Sequence, residues 1–184
     1  MASPSDHYPS AGVDELHPHT AMDVVVFGQR SEHIEFGPSE VTLRIRRGEP
    51  YLSRGLLTID TEMVELHLEG KSTLVGDITL RGGFDALRDE QRRIYGKVIE
   101  LEPGTGFPAE NYFDVFVEIE TSAGKFANRK PEHMVATIDR IPPDFSRTPY
   151  SSTTEINLYG DSVEGLEAAA PIGAIALVQH GVAV

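Results

Sequence analysis

Apolar and polar residues alternate along short segments of this chain, and Gly, Pro and Asn separate the segments. This is the pattern of β-strands joined by turns. The clearest case is residues 112–121, where every second position is apolar: Phe113, Val115, Val117 and Ile119. A period of two residues predicts that these side chains are buried, and that Asp114 and Glu118 lie on the exposed face.

The same reasoning predicts ten strands, at residues 22–27, 31–36, 40–46, 56–69, 74–81, 94–101, 112–121, 133–141, 153–159 and 172–180. Within 56–69 the apolar positions change phase near Met63 and Val64, which predicts a β-bulge there. Pro142 and Pro143 lack the N–H donor of a ladder, so the strand before them is expected to end. Helix is predicted in two short segments alone, residues 84–93 and 161–170.

Many short strands with frequent turns predict an all-β fold. We expect an antiparallel β-sandwich, of jelly-roll or immunoglobulin-like type, or a partly closed barrel. Residues 1–21 contain Ser, Pro and His without periodicity, which predicts an extended or flexible polar N-terminal arm. Residues 22–184 are then a single β-sandwich domain.

Composition excludes several classes of function. A net charge of −13 disfavours binding to nucleic acid, and the chain has no Cys for disulfides or thiolate metal sites. No apolar run is long enough to span a membrane. The first residues show no basic segment followed by an apolar one, so no signal peptide is predicted and a cytoplasmic location is the default expectation.

Part of the chain resembles a known family. The segments concerned are Leu57–Glu62, Leu66–Ser72, Phe107–Thr121, Asn128, Pro131, Met134 and Ile141–Pro143. They are similar to a family of uncharacterised bacterial β-rich proteins, in which a strand reading FPA…FDVFVEI precedes an N-x-x-P…IPP block. The resemblance covers roughly residues 55–145. It implies an all-β fold and no mechanism, because the family has no established activity.

Candidate catalytic and metal-binding groups are few. Gly160, Asp161 and Ser162 imitate a hydrolase nucleophile block, but the Asp and His partners that would activate the serine are absent from the expected spacing. No catalytic residue and no cofactor are therefore predicted. His17 and His19 are candidate metal ligands, since alternate residues of a strand point the same way.

Two pairs of carboxylates also share strand faces, Asp60 with Glu62 and Glu118 with Glu120. Such pairs serve glycoside hydrolysis or calcium binding, although a solvated outer face is their commonest use.

The main functional interpretation is a non-catalytic structural or interaction protein that forms a homo-oligomer or binds a partner. Apolar residues without an evident role are assigned to the interface: Phe116, Ile175, Leu177 and Val182. The C-terminal segment 172–184 has few charges and is a poor free sheet edge, so we expect it to be covered. The alternative is a small β-barrel enzyme acting on an apolar or carbohydrate ligand, whose identity the sequence leaves open.

Overall fold

The structure, a computed structural model, describes residues 7–26, 30–122, 124–144, 147–148, 150, 152, 156–160 and 173–180. At residues 25, 26, 30, 156, 157 and 173–180 the description covers the backbone alone. The predicted all-β fold is confirmed, because fourteen strands form one large antiparallel sheet.

The strands are β1 (Gly12–Leu16), β2 (Thr20–Val26), β3 (Arg30–Phe36), β4 (Val41–Arg47), β5 (Tyr51–Ser53), β6 (Leu56–Ser72), β7 (Gly76–Gly82), β8 (Ile94–Glu100), β9 (Ala109–Val115), β10 (Val117–Thr121), β11 (Gly124–Asn128), β12 (Glu132–Ile138), β13 (Ile156–Gly160) and β14 (Gly173–His180). Among the described residues, helix is confined to α1 (Phe84–Leu87) and the short 3₁₀ turns Pro38–Glu40 and Glu90–Arg92. The predicted helix 161–170, with Asp161 and Ser162, lies outside the described residues. Among the residues that the structure describes, no helix has the length and apolarity needed to cross a bilayer.

The long strand β6 runs through both halves of the molecule. Its first half pairs with β8 at Thr58–Met63, and its second half pairs with β7 at Leu66–Ser72. We call the strands β1, β4, β5, β8, β9 and β12, with the first half of β6, the first lobe. The second lobe consists of β2, β3, β7, β10, β11, β13 and β14, with the second half of β6.

A second connection between the lobes lies at Phe116, where residues 109–121 change partners. Before this residue β9 pairs with β8 and β12, and after it β10 pairs with β7 and β11. The predicted single strand 112–121 is therefore two strands, although its alternation of buried and exposed residues is as expected. Phe113, Val115, Val117 and Ile119 are buried, Asp114 is half-exposed and Glu118 is exposed.

The second lobe curls until its last strand, β3, lies against the end of β6. The Glu32 carboxylate accepts hydrogen bonds from the Ser72 hydroxyl and from the backbone N–H of Thr73, at 2.8 Å. A side chain at Gly70 would collide with the Phe36 ring, since a Cβ there would lie 2.5 Å from it. These contacts show that the sheet is strongly curved. In the described part of the chain no ladder joins β3 to β6, so the sheet does not close into a barrel.

Two local predictions from the sequence are confirmed. The register of β4 on β6 shifts between Arg44, which pairs with Glu65, and Ile45, which pairs with Met63, so Val64 is the extra residue of a bulge. Strand β12 ends at Ile138, before the two prolines, as expected from their missing donors.

The N-terminal segment belongs to the folded sheet from Tyr8 onward. Strand β1 pairs with β4, and the predicted boundary at residue 21 falls inside β2. Tyr8 is buried, its hydroxyl donates to Gly106 O at 2.7 Å, and its ring lies 5.1 Å from that of Phe107. Short-range periodicity was too weak to predict this docking, because its contacts are nearly a hundred residues away along the chain.

We expect Tyr8→Phe to lower the free energy of unfolding by about 1 kcal/mol, because Gly106 O loses its donor in a buried site. Urea unfolding measures the change. Tyr95→Phe is the matched control, since Tyr95 is 56% exposed, and it should change stability by less than about 0.5 kcal/mol. Equal stabilities for both variants would mean that residues 7–11 do not pack as described.

Strand β14 is paired on both of its edges, with β13 on one side and β2 on the other. The predicted covering of the C-terminal segment is therefore met within the chain on both edges over Gly173–Ile175, and against β2 as far as His180. Gly173–Ile175 therefore need no second subunit to cover a free edge.

Candidate functional site

A cavity of about 220 Å³ lies on the outer face of the second lobe. Its floor is Ala127 of β11, which stands opposite Glu118 of β10 on one side and opposite Tyr159 of β13 on the other. These two residues are two strand spacings apart, roughly 10 Å. Because alanine has no side chain beyond Cβ, a slot is left above Ala127, between the Glu118 carboxylate and the Tyr159 phenol.

Aromatic groups contribute to the lining of this cavity. Phe126 lines it and also packs against the hydrophobic core, so its position is fixed. The Tyr159 ring is half-buried and carries the Arg129 guanidinium above it, at 4.0 Å from the ring centroid. Cation–π contacts of this kind hold both partners in a defined orientation.

Three cationic side chains line the cavity, Arg92, Lys125 and Arg129, against the single carboxylate of Glu118. Lys125 and Ala127 are alternate residues of β11 and point to the same face. Arg129 follows the end of the strand, and its contact with the Tyr159 ring places it at the same cavity. The local excess of positive charge contrasts with the net charge of −13 for the whole chain.

Arg92 is fixed at the cavity by the strand break at Phe116. Its guanidinium donates to Asn128 O at 2.9 Å and to Val117 O at 2.7 Å, and it lies 5.5 Å from the centroid of the Phe116 ring. Burial lowers the pKa of Arg92, while the nearby carboxylates of Glu118 and Asp89 raise it.

Asn128, which is 1% exposed, lies beneath Arg92 and accepts hydrogen bonds from its guanidinium. Its Oδ1 accepts from Val117 N at 2.8 Å, and its Nδ2 donates to Val115 O at 3.0 Å and to Lys130 O at 2.8 Å. One amide therefore satisfies the backbone groups that the change of strand partners leaves unpaired. It also fixes the start of the segment that carries Arg129.

Three other cavities, of about 20, 20 and 10 Å³, each have room for little more than one water molecule. The first lies inside the first lobe and is lined by apolar groups that include Phe113 and Met134. These volumes are too small for an organic ligand.

Glu132 is an unusual group in the first lobe. It is 1% exposed, and neither carboxyl oxygen has a hydrogen-bond partner among the described residues. It stands at the start of β12, opposite Val115 and on the same buried face as Met134. Burial raises the pKa of Glu132 from its ordinary value of 4.5 to about 7, although the charge of His133 acts in the opposite direction.

The candidate metal ligands His17 and His19 stay a prediction. His17 and His19 lie in the turn between β1 and β2, so the strand alternation that would align them does not apply. His17 Nδ1 donates to Val41 O at 2.7 Å, and its Nε2 lies 3.3 Å from a carboxylate oxygen of Glu15. Across the described ranges no three His, Asp or Glu side chains are placed to share a metal ion.

The residues assigned to an interface lie in two places. Phe116 is half-buried beneath Arg92, and this contact accounts for an aromatic ring on an otherwise acidic face. Ile175 and Leu177 belong to β14, and Val182 lies outside the described residues. Their role in an interface stays a prediction.

Three of the four paired carboxylates, those of Asp60, Glu62 and Glu120, have cationic partners. Asp60 accepts from Lys97 Nζ at 2.7 Å, and Glu62 accepts from Arg46 at 2.7 Å and from Arg93 at 2.8 Å. In the other pair, Glu120 lies 3.6 Å from Lys125. These contacts explain why acidic residues share a strand face here without requiring calcium.

Of the residues that line the large cavity, Glu118, Asn128 and Gly160 stand out in the sequence, but none of them was predicted to line a cavity. The signal that could have found the cavity is local: Lys125, Ala127 and Arg129 place two cations around a small residue. Arg92 and Tyr159 give no such signal, because register between distant strands brings them to the site.

No protein-family model matches this sequence, and no curated protein matches it. The resemblance to a bacterial β-rich family therefore stays a prediction. Among solved structures, the fold is similar to that of DynF from the dynemicin biosynthesis pathway of Micromonospora chersina, with a TM-score of 0.75 and 16% sequence identity. The similarity covers 96% of this chain and 82% of DynF.

This similarity corrects the main functional interpretation. The chain shares its fold over almost its whole length with a protein of a biosynthetic pathway. The prediction of a non-catalytic structural protein is therefore wrong, and the alternative, a small β-barrel enzyme acting on an apolar or carbohydrate ligand, is better supported.

Proposed function

We propose that this protein binds a small organic molecule with a flat, apolar part in the cavity between β10, β11 and β13. The observation that carries the proposal is the slot above Ala127, a concave site of about 220 Å³ with aromatic groups in its lining. Ligand sites in proteins are typically concave, with apolar walls and a few well-placed polar groups.

The resemblance in fold to DynF is consistent with this proposal. A protein of a biosynthetic pathway has a substrate, an intermediate or a product to bind. In this cavity, Glu118 and Tyr159 are the groups available for proton transfer to a bound molecule, since they stand on either side of Ala127 in the strand register and both line the cavity. An enzyme acting on such a ligand is the form of the proposal that the fold favours.

Filling the slot tests the proposal. Ala127→Phe places a ring where the ligand would lie, and we expect it to weaken binding of the neutral fluorescent probe N-phenyl-1-naphthylamine by at least about 10-fold. The measurement is a fluorescence titration of the folded, full-length protein.

Thr137→Phe is the control, since Thr137 is exposed on β12 of the first lobe and adds the same ring elsewhere. It should leave the affinity for the probe unchanged. No binding by the parent protein, or equal affinities for both variants, would contradict the proposal.

A further inference from the structure

The cations around the cavity differ from most other cations of this chain. Each of the following forms an ion pair with a carboxylate: Arg44, Arg46, Arg47, Arg81, Arg88, Arg93, Arg140 and Arg147. Arg92 and Arg129 form none with the carboxylates of the described residues; they contact backbone carbonyls and an aromatic ring instead. Arg129 is thus left without a counter-charge in this part of the structure, whereas Arg92 has the carboxylates of Glu118 and Asp89 nearby but forms no ion pair with them.

Arg92 also retains unused donors. A guanidinium has five N–H groups, and three hydrogen bonds account for its contacts, to Asn128 O, Val117 O and Asn128 Oδ1. Its buried Nε donates to no acceptor in the described residues. Burial lowers the pKa of this side chain, and a nearby anion would stabilise its charged form.

We propose that the ligand of this cavity carries a carboxylate, which Arg92 and Arg129 recognise while its aromatic part occupies the slot above Ala127. The inference rests on the proposed function, since it specifies the ligand of the same site. A planar carboxylate matches the fork of N–H groups on a guanidinium, and such charge-assisted hydrogen bonds are about twice as strong as neutral ones. The excess of cations at the cavity also attracts an anion to a chain that otherwise repels it.

Glu118 sets the orientation of this ligand. Its carboxylate repels that of the ligand, so the acid group is directed toward Arg129, on the side of the slot away from Glu118. The remaining cation, Lys125, is 3.6 Å from Glu120 and is therefore already paired.

The experiment compares two molecules of equal shape, 2-naphthoate and its neutral amide 2-naphthamide, by calorimetric titration of the full-length protein. The acid should bind at least about 10-fold more tightly than the amide, as expected for one charge-assisted bond. In Arg129→Gln the preference for the acid should become several-fold smaller, since Arg92 remains, while N-phenyl-1-naphthylamine still binds. Arg129 is exposed, so this variant should fold, and its melting temperature checks that it does.

Arg54→Gln is the matched control, since it removes the same charge from an exposed turn outside the cavity. It should keep the preference for the acid. Equal binding of acid and amide by the parent protein, or loss of the preference in Arg54→Gln, would overturn the carboxylate assignment but leave the proposed function standing. Failure of the neutral probe to respond to Ala127→Phe would instead overturn the proposed function.

Discussion

Replacing Asn128 with Ala is expected to lower the free energy of unfolding by about 3 to 5 kcal/mol. The variant removes the acceptor of Val117 N–H and the donor of Val115 O, both in buried hydrogen bonds, and the donor of Lys130 O in a part-buried one. Leaving several buried backbone groups without partners costs far more than the hydrogen bonds contribute on balance. Urea unfolding followed by circular dichroism measures the loss.

Thr137→Ala is the control for Asn128→Ala, because Thr137 is exposed on β12 and should tolerate truncation within about 0.5 kcal/mol. A loss below about 1 kcal/mol in the Asn128 variant would show that water replaces the amide at the strand break. In that case the Asn128 amide would not be needed to hold β9 and β10 together at Phe116.

Most of the fold could be predicted from the sequence, because burial of one sheet face imposes a period of two on the side chains. The phase change near Val64 even identified the bulge, since an extra residue reverses which face each later side chain occupies. Strands β1, β5 and β11 were missed. They are only three to five residues long, which is too short for a period of two to be recognised. Strand β11 also has no run of alternating apolar positions.

The break at Phe116 could not be predicted from periodicity. The side chains alternate through it without interruption, while the neighbouring strands change. The candidate site has the same origin. Arg92 reaches it from the turn before β8 and Tyr159 from β13, so the cavity depends on pairing between distant segments, which one sequence does not specify.

Glu132 makes the stability of this protein depend on pH. Its carboxyl is buried without a partner, and burial raises its pKa in the folded chain to about 7, against an ordinary value of 4.5. Between these values the folded state holds more protons than the unfolded state, so the free energy of unfolding falls as the pH rises. The loss is absent below about pH 4.5 and complete above about pH 7.

Glu132→Gln is expected to remove this dependence. Relative to the variant, the parent protein should lose about 3 kcal/mol between pH 4.5 and pH 8, because a difference of one pKa unit corresponds to about 1.4 kcal/mol. The glutamine amide is also buried, but its cost does not change with pH, so the comparison isolates the ionisation. Urea unfolding of both proteins at several pH values gives the two curves.

The matched control is Glu110→Gln, which removes a carboxylate from an exposed position on β9, the neighbouring strand. Other titrating groups contribute equally to the parent protein and to both variants, so they cancel in the differences. Should the curves of the parent and Glu132→Gln run parallel from pH 4.5 to pH 8, the carboxyl would have to find water or a partner when it ionises. If the free energy of unfolding falls less steeply with pH in Glu132→Gln than in the parent and in Glu110→Gln, Glu132 carries a proton in the folded chain at low pH. The physical reason is that a buried carboxylate without a counter-charge is costly to retain.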